Sequence, residues 1–211
     1  MQEISLHILD LAYNAVEAGA RQVSIEVIED RAADRLTIRV GDDGRGMDEA
    51  TVRRVVGPFY TSRNVRKVGL GLSLLELAAE AAGGGLRIVS EAGQGTTVEA
   101  TFQLSHVDRA PLGDLAATVL VLVAGQPEVG FRYRHVVDGQ EFEFDGEAYR
   151  EALGTLPPQH PVALRWLRGA LAEDYTATEH AETGRQDDAE AWQPGGAEAA
   201  QGRGPARNSH S

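Results

Sequence analysis

The stretch Leu36–Met47, LTIRVGDDGRGM, decides the fold. Leu36, Ile38 and Val40 alternate with Thr37 and Arg39, the period of a strand with one buried face. That strand runs directly into a turn of two aspartates and three glycines. Glycine lets backbone approach a flat ring, and a carboxylate such as Asp42 accepts from an exocyclic amine. Taken alone, the same residues describe any tight turn, so the neighbouring elements matter. Upstream, Val23, Ile25 and Val27 alternate with Ser24 and Glu26, giving a second strand joined to the first by EDRAAD (29–34). Before it, Ile4, Ile8, Leu11 and Ala15 recur every three or four residues, which predicts a helix over 3–17 stopped by Gly19. Downstream, Asp48 is placed to cap a short helix to about Val56, and a loop covers 57–69. A helix follows from Leu70 to Ala82, ended by Gly83-Gly84-Gly85. Strands at 86–91 and 96–104 flank the turn EAGQG. The arrangement that buries every apolar face is an α/β fold of two layers, one mixed sheet with helices on one side.

The texture changes near Ser105. Residues 1–105 form the first expected domain, and 106–175 a small α+β unit. In the latter, Asp114 is placed to cap a helix through Val123, although LAATVLVLV is rich enough in β-branched residues to be a strand. Val129 to Val137 alternate, Asp138-Gly139 supplies a two-residue turn, and Phe142 and Phe144 alternate on the return, a hairpin signal. Helices are expected at 146–153 and 161–173. From Thr176 to Ser211 there is no Val, Ile, Leu, Met or Phe, so 176–211 is expected to be a disordered tail.

Composition removes whole classes of function. With 20 basic and 32 acidic residues the formal charge is −12, a poor footprint for following a phosphate backbone, so no nucleic-acid partner is expected. Cys is absent, which excludes disulfides, thiolate metal sites and thiol nucleophiles, and the six His show no HExxH pair. The N-terminus lacks the basic region of a signal peptide, and no apolar run approaches the ~20 residues of a bilayer-spanning helix. No membrane association is expected, and the expected location is cytoplasmic. Lys67, the sole lysine, is followed by Val68, which excludes a Walker loop.

Four motifs then occur in order: LDLAYNAVEAGA (9–20), VGDDGRGM (40–47), VGLGLSLLELAAEAAGG (68–84) and EAGQGTTVEATF (91–102). Together they resemble the N box and the successive glycine boxes of the GHKL ATPases, the superfamily of DNA gyrase, heat-shock chaperones, sensor histidine kinases and MutL. The resemblance covers about residues 3–104. It implies the two-layer ATP-binding fold of that superfamily, with ATP and Mg2+ as cofactors. Position by position, Asn14 matches the asparagine whose side-chain oxygen ligates magnesium. Asp42 matches the carboxylate that reads the adenine amine, with Gly44, Gly46 and Met47 beside the ring. Gly69, Leu70, Gly71 and Leu72 match the turn that cradles phosphate at a helix N-terminus, and Thr97 matches the threonine next to the adenine. Asp43 stands where kinases often carry Asn. Residues 57–68 would be the ATP lid, with Phe59 and Tyr60 resembling an aromatic box and Arg63, Arg66 and Lys67 available for phosphate or simply solvated.

The branch signals conflict. NAVEAGA resembles the MutL style, whereas GLGLS and GQGTT resemble kinases and anti-sigma factors. Only Met1 and Gln2 precede the first helix, so a complete sensor kinase is not expected, and His7, inside that helix, reads as a packed or nucleotide-adjacent histidine. Asp10 occupies the position where hydrolysing members carry a water-activating glutamate, one methylene shorter, which implies slow hydrolysis. The function implied is a stand-alone Mg-ATP-binding kinase or slow ATPase of histidine-kinase-like or anti-sigma-kinase-like type, whose ordered lid engages a protein partner. The alternatives are a non-catalytic nucleotide-binding switch and a MutL-like fragment.

Overall fold

The structure is a computed structural model that describes residues 3–55 and 70–172. Its elements run α1 (Ile4–Glu17), β1 (Gln22–Asp30), β2 (Arg35–Asp42), α2 (Glu49–Val55), α3 (Leu70–Ala81), β3 (Gly85–Glu91), β4 (Gly95–Gln103), α4 (Leu115–Gly125), β5 (Gly130–Val137), β6 (Gln140–Asp145) and α5 (Gly146–Leu153). A further helix, α6, covers 161–172. The six strands form one sheet in the order β3-β4-β2-β1-β5-β6. Every pairing is antiparallel except β1 with β5, so the sheet is mixed only because of that one joint.

Alternation divides the sheet into two faces. Val23, Ile25, Val27, Leu36, Ile38, Val40, Val98, Ala100 and Phe102 are buried on one, against α1 and α3. The core is continuous with that of α4, α5 and α6 through Leu122, Phe131, Tyr133, Leu167 and Leu171. Ile4 and Ile8 lie fully inside it, and truncating such a residue to Ala costs about 2–5 kcal/mol.

The segment after Ser105 is laid out differently from the separate unit expected. Its hairpin extends the same sheet by pairing β5 with β1, Val23 opposite Phe131 and Val27 opposite His135. The buried His135 Nε2 lies 3.1 Å from Glu29 Oε1 across that joint. Alternation marks a strand but says nothing of its partner, and the free edge of β1 supplied one. The connection is held to α1 on its way, because Ile4 N–H donates to Pro111 O (2.9 Å) and Ser5 N–H to Leu112 O (2.8 Å). These bonds occupy helix donors that no side chain caps. The ambiguous LAATVLVLV is helical, with Asp114 accepting from Ala117 N–H at 2.7 Å. The cap and the apolar surface of α1 outweigh the β-branched preference.

Candidate functional site

α1 acts as the ruler of the site. Its last turn ends at Gly19, in the left-handed region at φ 79, where Ala20 N–H donates to Ala15 O. The turn after β2 docks on that end: Arg45 N–H donates to Ala18 O at 3.0 Å, and a Cβ on Gly44 would lie 3.0 Å from the same oxygen. Within this turn Asp42 is half-buried. Its carboxylate accepts from Gly44 N–H (2.8 Å) and from Thr96 N–H. Burial pushes the carboxyl above its ordinary value, and those two donors oppose the shift. Asp43 faces elsewhere, accepting from Arg21 and Gln22 N–H at 2.7 and 2.9 Å, so it pins the start of β1.

The second turn meets the first backbone to backbone. A Cβ on Gly46 would stand 1.9 Å from Glu91 O, and one on Gly95 would stand 1.9 Å from Asp42 O. Both residues also have positive φ, 60 and 97, so glycine is required twice over. Gly93 N–H donates to Arg45 O, closing the pair. Met47 is partly buried against the core.

Two turns earlier, midway along α1, Asp10 lies against the first turn of α3. A Cβ on Gly71 would fall 1.5 Å from Asp10 Oδ2, so the carboxylate occupies space that only glycine leaves open. A negative charge there suits the positive end of α3. His7, one turn before Asp10, is 4% exposed, and its Nδ1 has no hydrogen-bond partner among the described residues. Burial lowers its pKa, against the opposing charge of Asp10. Between Asp10 and the helix end sits Asn14, whose buried Nδ2 likewise has no partner among the described residues.

Thus Asp10 and Asn14 lie on α1, Gly71 packs on Asp10, Gly44 of the Asp42 turn packs on Ala18, and Gly46 packs against Glu91 and Gly95, while other expected residues fall elsewhere. Leu72 is 7% exposed and belongs to the core, so only its backbone is available to a ligand. Thr97 stands opposite Gly41, and its Oγ1 lies with Ser24 Oγ around the position of a Gly41 Cβ, on the sheet face turned away from the helices. Thr96 is the residue opposite Asp42. A one-residue shift along a strand reverses the face, which a motif match does not register. Gly69, the Leu70 side chain, Arg63, Arg66, Lys67, Phe59 and Tyr60 lie outside the described residues. Ser90, which motif matching passed over, bonds Met47 and Gly95 (2.8 and 2.9 Å). It stands opposite Thr96 in the β3–β4 pairing, a position that no sequence motif marks. No helix among the described residues is long and apolar enough to cross a membrane.

Glycine turns at two strand ends that meet each other, one of them packed on the end of an N-terminal helix, are the layout of one class of ATP-binding domain. Residues 2–106 match the family described as histidine kinase-, DNA gyrase B- and HSP90-like ATPase, and this part of the chain belongs to it. Sensor protein kinase FleS of Pseudomonas aeruginosa is 37% identical over 105 residues, which are 50% of this chain and 25% of that protein. Sensor histidine kinase YvrG of Bacillus subtilis is 26% identical over 98 residues, 44% of this chain and 17% of that protein. The chain therefore spans a quarter or less of these two relatives. Among solved structures, the ATPase domain of Aquifex aeolicus MutL complexed with ADP is 20% identical and covers 74% of this chain and 70% of that one, with a TM-score of 0.44. That likeness is too low to carry further argument.

Proposed function

We propose that the chain is a regulatory Mg-ATP-binding module of the histidine-kinase-like or anti-sigma-kinase-like kind, with slow ATP turnover or phosphoryl transfer, in which residues 57–68 close over the nucleotide and engage a protein partner. The observation that carries this reading is the ordering of groups along α1. Asp10 beside the N-terminal turn of α3, Asn14 with its Nδ2 unpartnered among the described residues, and Ala18 beneath the Asp42 turn follow at four-residue steps. At 1.5 Å per residue they span about 12 Å, with a phosphate-compatible helix end at one limit and a purine-compatible carboxylate at the other.

The residues fit both expected cofactors. Asp42 offers an acceptor to the adenine amine, and the glycines at 44, 46 and 71 let Ala18, Glu91 and Asp10 pack closely against the turns that would hold the nucleotide. Asn14 would hold the magnesium ion through its amide oxygen, while its Nδ2, a donor with no partner among the described residues, would be left to a ligand acceptor such as a phosphate oxygen. Bound with the phosphates, the cation supplies neutralisation of charge on the phosphoryl oxygens. Asp10 would accept the proton of the attacking water or hydroxyl. Sensor kinases among the relatives support transfer to a protein. A second reading, a passive nucleotide switch, is favoured by the packing of Asp10 against Gly71, which gives the carboxylate a structural use.

Limited trypsinolysis tests the proposal, since Arg63, Arg66 and Lys67 all lie in 57–68. Mg-ATP is expected to slow cleavage there, and ATP with a chelator is not. Equal cleavage in both conditions removes the magnesium-dependent lid. Phosphate release measured beside it separates a turning-over enzyme from the passive switch.

A further inference from the structure

Ser90 lies outside every glycine box, yet its hydroxyl is where the two base-side turns meet. Oγ stands 2.8 Å from Met47 N, 2.9 Å from Gly95 O and 2.8 Å from Thr96 Oγ1. A hydroxyl has one proton and two lone pairs. One assignment uses all three: Ser90 accepts from Met47 N–H and from the Thr96 hydroxyl, and donates to Gly95 O. The bond to Gly95 stays within the β3–β4 hairpin and would belong to any hairpin. The bond to Met47 does not, because it crosses 43 residues to the turn that carries Asp42.

Thr96 links this hydroxyl to the site. Its side chain bonds Ser90, while its N–H bonds the carboxylate of Asp42. Gly44 N–H is the other donor to Asp42, and it belongs to the turn whose far end Ser90 holds through Met47. Both donors that aim Asp42 are therefore tied to one hydroxyl.

We propose that Ser90 is a positioning residue for base selection, holding Thr96 and the 42–47 turn so that the Asp42 carboxylate meets a purine that presents an exocyclic amine rather than a carbonyl. The inference rests on the ATP-binding reading and deepens it. A carboxylate discriminates adenine from guanine only while it is held in place, since a loosened side chain can turn its oxygens away from the guanine carbonyl and relieve the repulsion.

Calorimetry on the full chain with Mg-ATP and Mg-GTP tests it, using the wild type, Ser90→Ala, Ser90→Thr, Asp42→Asn and the Ser90→Ala/Asp42→Asn double variant. The ATP-over-GTP preference is expected to fall about tenfold in Ser90→Ala, the scale of one lost hydrogen bond, and to be retained in Ser90→Thr. In the Asp42→Asn background, Ser90→Ala is expected to change the ratio no further, because the two act on one contact. An unchanged ratio in folded Ser90→Ala, or an additive effect in the double variant, overturns the inference. Should Ser90→Ala fail to fold, Ser90→Cys serves instead: a partial loss of preference supports the role and an unchanged one overturns it. A wild type that binds neither nucleotide defeats the ATP reading itself, a result distinct from all of these.

Discussion

The two faces of the sheet are built from the same strands by opposite means. On the helix side most side chains are apolar; the buried polar groups described there include the paired Glu29 and His135, the hydrogen-bonded carboxylate of Asp42, and two nitrogens with no partner among the described residues, His7 Nδ1 and Asn14 Nδ2. On the other side, one register line crosses all six strands as Arg87, Glu99, Arg39, Glu26, Arg134 and Glu143, with alternating charge. Arg39 bonds both Glu26 and Glu99, and Arg134 bonds Glu26 and Glu141. A two-residue slip between strands would break this ladder, and a one-residue slip would drive it into the core. The charges of the open face are thus mutually satisfied, whereas on the helix side two buried nitrogens, His7 Nδ1 and Asn14 Nδ2, have no partner among the described residues.

The largest expected effect is on the helix side. Asp10→Asn is expected to lower phosphate release by roughly a hundredfold, the lower range for losing a general base, with ATP affinity little changed. Rates that do not move would class Asp10 with the structural polar groups. Next, Asp42→Asn is expected to weaken ATP binding by about 10- to 100-fold, corresponding to the roughly 1.5–3 kcal/mol of a charged hydrogen bond, while the melting temperature holds. Calorimetry beside a thermal melt reads both.

His7 links the site side to stability. Its folded pKa lies below the ordinary value, so above about pH 6.5 it is neutral in both states and its contribution is complete. As pH falls through that value the unfolded chain takes up a proton first, and stability is lost toward the folded pKa at up to about 1.4 kcal/mol per pH unit. Urea unfolding at pH 7.5 and 5.5 should show a steeper loss for the wild type than for His7→Gln. Parallel losses would mean that His7 does not titrate differently on folding.

The smallest effect belongs to the open face. Glu26→Gln leaves Arg39 and Arg134 facing each other across β1 and is expected to cost about 1 kcal/mol, less at high salt, with ATP affinity unaltered. A change in nucleotide affinity instead would show that the two faces are coupled.

Much of this was legible in the chain itself. Period-two and period-three-to-four spacing marked α1, β1, β2 and the β5–β6 hairpin, because burial on one face writes its period into the residues, and glycine breakers and turns bounded α3, β3 and β4. Asp138 and Gly139, both at positive φ, form the turn their identities predicted. The glycines at 44, 46 and 71 were likewise marked in the chain, and the structure brings other atoms to within contact of each, since close approach restricts the residue type. Pairing was not legible. That β5 lies parallel to β1, that Thr96 rather than Thr97 stands opposite Asp42, and that Ser90 binds the two turns together are long-range facts of register. Sequence by itself determined which segments bury a face and which positions admit only glycine, because these are local demands on one residue. Tertiary structure alone decided which segments meet and which side each residue presents, because hydrogen-bonded partners far apart in the chain leave no period to read.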